Sequence, residues 1–114
     1  MTRDQSLANH VCRVAKDSIK LGHRQTVLLT SAKDSDLARM ALAAVMPRGS
    51  VCENSGDWVT PDGKFRITIK RYSDSIPSYG SPIALAVCNG GDALSNKDRE
   101  HVQSWRKTVP TLGS

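Results

Sequence analysis

Aromatic side chains are scarce in this chain: one Phe, two Tyr and two Trp, 4% of 114 residues. That argues against recognition platforms that stack successive bases on rings, and no RNP-type sheet motif or zinc-finger spacing appears in their place. Cysteine is also sparse. Cys12, Cys52 and Cys88 are odd in number and far apart, which fits neither a disulfide framework nor the paired spacing of a zinc site. They are expected to be structural thiols that react slowly in a reducing compartment. Long apolar runs are missing too. The longest, residues 40–46, falls far below the roughly 18 residues of a membrane span. The first twelve residues, MTRDQSLANHVC, contain no apolar core of a secretory signal. A cytoplasmic protein with no membrane association is expected, and a homo-oligomer stays open.

Phosphate-binding signatures are absent as well. Neither G-x-x-x-x-G-K-[ST] nor G-x-G-x-x-G occurs, and a phosphatase-like C-x-x-x-x-x-R loop from Cys88 would need arginine where Leu94 stands. No triad is readable, because nothing local brings His101 to Cys88. The expectation is a protein with no catalytic residues, no metal and no cofactor.

What is present describes one domain over residues 1–114, with 39% hydrophobic and 24% charged residues. Over residues 4–20, Leu7, Ala8, Val11, Val14, Ala15 and Ile19 recur at the three-and-four spacing of a helix face, and Gly22 can end that helix. Residues 26–30 form a short continuous apolar run, as does the stretch 83–88, and each suits a strand covered on both faces. Asp34 or Ser35 can cap a second helix carrying Leu37, Ala38, Ala41, Leu42 and Val45, stopped by Pro47. Two β-rich runs around Pro61, Asp62 and Gly63 read as a hairpin, and Val51 and Cys52 as a further short strand. Ser95 with Asp98 opens a last helix that buries Val102 and Trp105 and ends before Pro110, leaving TLGS as a frayed or pairing tail. The order is helix, strand, helix, hairpin, strand, helix. It predicts a small single-domain α/β sandwich whose central strands are parallel.

Two surfaces attract a functional reading. In the second arm of the hairpin, Phe65, Ile67 and Ile69 alternate with Lys64, Arg66, Lys70 and Tyr72, so the basic set and the ring are expected to face solvent beside Arg71. With Arg13, Lys16 and Lys20 on the first helix and a net charge of +5, this favours a non-enzymatic module contacting nucleic acid or a nucleoprotein complex through backbone phosphates. The alternative partner is an acidic protein surface, recognised as an inhibitor or immunity-type protein would. The second surface lies where two parallel strands end: the loops holding Ser31, Lys33 and Asp34, and Asn89, Gly90 and Gly91, would face the same side. Backbone N–H groups there could hold a small anion for a ligand-binding domain or a small enzyme. Asp34 and Asp36 oppose an anion at close range.

Overall fold

The computed structural model describes residues 1–112. Helix α1 (Arg3–Leu21) begins at a capping box: the Thr2 hydroxyl accepts from the Gln5 N–H, and the Gln5 side chain accepts from the Thr2 N–H. It ends at Gly22, whose φ of 79° lets the cap amide reach back to the Ile19 and Ser18 carbonyls. Strand β1 (Gln25–Thr30) follows, then a single 3₁₀ turn (Ala32–Asp34) into α2 (Ser35–Val45). Two short strands, β2 (Val51–Cys52) and β3 (Trp58–Val59), lead to β4 (Arg66–Arg71), β5 (Ala84–Val87) and α3 (Asn96–Thr108). The Ser95 side chain caps α3 by accepting from the Asp98 N–H.

The sheet order is β2-β3-β4-β1-β5. Strand β1 is parallel to both neighbours, from Gln25 opposite Arg66 to Thr30 opposite Arg71 on one side, and from Thr26 opposite Ala84 to Leu29 opposite Val87 on the other. The expected parallel pair is therefore β1 and β5. The expected hairpin joins β3 to β4, with Trp58 opposite Ile67. The tail also pairs: Thr111 bridges Ile83 in parallel, and the Leu112 N–H donates to the Ile83 carbonyl at 2.7 Å. Gly113 and Ser114 lie outside the described residues.

One expectation needs correcting. The alternating arm, β4, is not a half-exposed flank but an interior strand between β3 and β1. Its second face is covered, so Thr68 and Tyr72 are buried at 5% and 4% exposure, and only the long side chains of Arg66, Lys70 and Arg71 reach outward. Alternation marks two faces; it does not say that the second is wet.

Two cores result, one on each face. Leu28, Ile67 and Ile69 pack with Leu7, Val11 and Ala15 of α1 and Ala38 and Leu42 of α2. Val27 and Leu29, pointing the other way along β1, pack with Tyr72, Ile83, and Val102 and Trp105 of α3. The connection from β4 to β5 crosses this second face without a helix and covers it with Ile76 and Tyr79. Trp105 satisfies its ring N–H on the Tyr72 carbonyl at 3.1 Å, which fastens α3 to the end of β4.

Because Leu28 is fully buried at the centre of the first core, Leu28→Ala should lower unfolding free energy by about 2–5 kcal/mol in urea titrations. Met40→Ala, at a position 70% exposed on α2, should stay within about 0.5 kcal/mol.

Candidate functional site

The connections leaving β1 and β5 diverge: one leads to α2 on the first face, the other to α3 on the second. Adjacent parallel strands whose connections part in this way leave a crevice beyond their carboxyl ends, the usual ligand position of open α/β sheets. Here the crevice is partly filled by the chain itself. Arg3 reaches over from the start of α1 and donates twice to Asp34, Nη1 to Oδ1 at 2.7 Å and Nη2 to Oδ2 at 2.6 Å. Its Nε donates to Asp92 at 2.6 Å, and Nη2 also reaches the Asn89 carbonyl at 3.3 Å. One planar guanidinium thus ties three segments that are distant in sequence, using the fork geometry that suits paired acceptors.

This clamp revises three expectations for the loops. Asp34 occupies the position before α2, but its side chain caps nothing; both oxygens serve Arg3. Ser35 does not cap either, its hydroxyl donating to the Ala32 carbonyl at 3.1 Å. Gly90 and Gly91 have φ of 67° and 88°, and Gly90 lies against the Arg3 side chain rather than opening as an anion cradle, while Gly91 has open space beside it. A Cβ at Gly90 would lie 3.2 Å from Arg3 Cγ and 3.3 Å from its Nε, so glycine admits the clamp. Asn89 closes the turn, accepting from the Gly91 N–H at 3.3 Å and donating to the Asp92 carbonyl.

What stays open lies beside the clamp, between the β1 loop, the end of β4 and the start of α3. Two adjoining clefts, of about 180 and 290 Å³, share Ser31, Tyr72 and Asp98. Lys33 borders the smaller; Arg71, Lys97 and His101 border the larger. The walls contain an anomaly. Ser31 Oγ, Tyr72 Oη and His101 Nε2 are each shut away from bulk solvent with no hydrogen-bond partner in the protein, and the fourth such side-chain atom among the described residues, Thr26 Oγ1, lies at the opposite end of β1. Of the three, Ser31 Oγ is close enough to the Asp34 carboxylate to help hold that carboxyl low, which leaves Tyr72 Oη and His101 Nε2 with no polar group to serve. Buried polar atoms are nearly always paired, so three unpaired ones in one place call for a solvent molecule or ligand. Burial, with the Asp98 charge second, pushes the Tyr72 hydroxyl up to about 12, so it is a protonated donor at neutral pH.

The other expected residues do not form one surface. Arg13, Lys16 and Lys20 are exposed on α1, which covers the first face of the sheet, whereas Lys70 lies on the second face with Tyr72. Lys64 stands apart in the exposed turn between β3 and β4. Arg66 is engaged by Glu53 and by Asp57, the latter at 3.0 Å, and this ties the β2–β3 connection to β4. Tyr72 is no stacking platform: its ring is in the second core. Arg71 remains exposed, at the rim of the larger cleft.

The thiols divide as well. Cys88 is fully buried and burial pushes it up to about 12, while Cys52 is exposed on edge strand β2, contrary to the expectation that all three react slowly. No group of three or more His, Cys, Asp or Glu side chains among the described residues is placed to hold a metal ion. No helix among them is long and apolar enough to cross a membrane. No protein-family model, curated protein or solved structure matches the chain.

Two outcomes follow from this geometry. The Arg3 guanidinium holds the Asp34 carboxyl below its ordinary value, against the opposing effect of burial. A carboxyl depressed in the folded state contributes stability above its unfolded pKa, about 3.9, and loses it as pH falls through the folded value. The unmodified protein should therefore keep this contribution down to about pH 4, and Arg3→Gln, which leaves Asp34 buried and unpaired, should move the acid-unfolding midpoint upward. Circular dichroism across an acid titration checks this. Alkylation of the native protein followed by mass spectrometry should label Cys52 first and Cys88 last; prompt labelling of Cys88 would contradict its burial.

Proposed function

We propose that this protein is an α/β ligand-binding domain whose site is the double cleft beside the Arg3 clamp. The observation that carries this reading is the convergence of Ser31 Oγ, Tyr72 Oη and His101 Nε2, buried and unpartnered, on its walls. Position supports it: the cleft adjoins the carboxyl ends of β1 and β4, next to the crevice at which the connections to α2 and α3 diverge. Pre-organisation supports it too, because the two loops flanking the crevice are held together by Arg3 before any ligand arrives. At 180 and 290 Å³, the clefts suit a small polar molecule better than one of drug size. Three free cysteines favour a reducing compartment such as the cytoplasm.

Nucleic-acid binding through the hairpin ranks second. Lys64, Lys70 and Arg71 remain for it, whereas Arg66 is neutralised, Tyr72 is buried and the α1 cations lie across the sheet.

A thermal-shift screen of small polar compounds, spanning anions, cations and neutral polyols, tests the proposal. A ligand at a hundredfold its Kd adds about 2.7 kcal/mol, which should raise the melting temperature of a domain this size by about 10 °C. The shift should disappear in Tyr72→Phe. A ligand whose shift is unchanged in that variant binds elsewhere and contradicts the proposal.

A further inference from the structure

The cleft walls also say what chemistry they would accept. Ser31, Tyr72 and His101 line the larger cleft with unpartnered polar atoms lying beneath its surface, and Arg71 and Lys97 stand at its rim with no ion-pair partner among the described residues. His101 Nε2 presents a donor in the matching tautomer. Arg3 is largely committed elsewhere, four of its five N–H donors going to Asp34, Asp92 and the Asn89 carbonyl. Against these donors stands one carboxylate, Asp98, at the third position of α3 and shared by both clefts. Donors converging from β1, β4 and α3 suit a tetrahedral oxyanion with several terminal oxygens, and the first turn of α3 presents the positive end of its dipole on the same side. Asp98 would repel a bare anion at close range, but it can accept from a hydroxyl carried on the same ligand.

We propose that the larger cleft binds the phosphate of a small phosphorylated hydroxy compound, with Ser31, Tyr72, His101, Arg71 and Lys97 around the phosphate and Asp98 accepting from the ligand hydroxyl. This rests on the ligand-cleft reading above and names the class of ligand. It separates the cleft from the glycine turn at Gly90, where Arg3 already lies. It also assigns Tyr72 a task its packing does not: the ring needs burial, but nothing in the second core uses its hydroxyl.

Isothermal titration calorimetry at low salt with inorganic phosphate, glycerol 3-phosphate, acetate and glycerol tests the inference. Both phosphates should bind, glycerol 3-phosphate more tightly. Tyr72→Phe should weaken both by about tenfold or more, the scale of one hydrogen bond to a charged group. Its melting temperature without ligand should hold or rise, since the deleted hydroxyl has no partner to lose. Asp98→Asn should tighten inorganic phosphate and remove the preference for glycerol 3-phosphate. Arg71→Ala with Lys97→Ala, both exposed, should weaken binding by about two- to fivefold per charge with little change in melting temperature. Phosphate binding indifferent to Tyr72→Phe would overturn the proposal. Binding of acetate or glycerol that depends on Tyr72, with none of phosphate, would overturn the ligand class and leave the cleft reading standing. No Tyr72-dependent binding of any probe would remove both.

Discussion

Cover on both faces of β1 is the constraint from which the rest of this structure follows. A strand with Leu28 buried one way and Val27 and Leu29 the other needs helices on each side, and parallel neighbours are reached only by connections that cross a face. The connection after β1 takes the first face through α2, and the connection after β4 takes the second without a helix. The chain then leaves β5 for α3, again on the second face. The divergence of α2 and α3 opens the crevice at the carboxyl ends. Without two-sided burial of β1 there would be neither a crevice nor a cleft.

Arg3 converts that crevice from an opening into a support. Its guanidinium fills the part nearest β1 and β5, so Gly90, which would otherwise suit an anion, serves the protein's own cation. Carboxylates outnumber the cation there, Arg3 standing against Asp34 and Asp92 with Asp4 at 3.8 Å. The unbalanced groups, Arg71, Lys97 and Asp98, sit a few residues away around the larger cleft. Pairing consumes the groups in one half and leaves Arg71 and Lys97 in the other without ion-pair partners among the described residues, which separates a structural half of the carboxyl-end surface from the half proposed to bind.

Much of the fold was legible because its signals are local. The apolar stripe of α1, the runs that became β1 and β5, Pro61-Asp62-Gly63 in the hairpin turn and the Ser95 cap each declare themselves within a few residues. The box formed by Thr2 and Gln5 was equally local, matching the hydroxyl-x-x-glutamine pattern with Thr2 one residue before the helix, and could have been read. The site was not readable in the same way. Arg3 meets Asp34 and Asp92 at separations of 31 and 89 residues, which no window spans. Tyr72 looked like the exposed end of a basic face because alternation cannot report that α3 and the β4–β5 connection cover that face. Arg66 looked free because Glu53 and Asp57 reach it only after β2 and β3 fold back on β4. Ser31 and Arg71 were singled out from sequence but for different surfaces, and Asp98 and His101 for none in common; the parallel pairing of β4 with β1 and the packing of α3 on the second face bring them, with Lys97, to one cleft.

The central claim is that function resides where buried polar groups lack partners, and its most direct test is the location of binding. In a ¹H–¹⁵N correlation spectrum titrated with glycerol 3-phosphate, the account predicts shifts confined to the backbone amides around Ser31, from Arg71 to Ser73, and from Lys97 to His101, with saturation at a single Kd. Shifts centred instead on Arg13, Lys16 and Lys20 of α1, or on Lys64 in the hairpin turn, would contradict it.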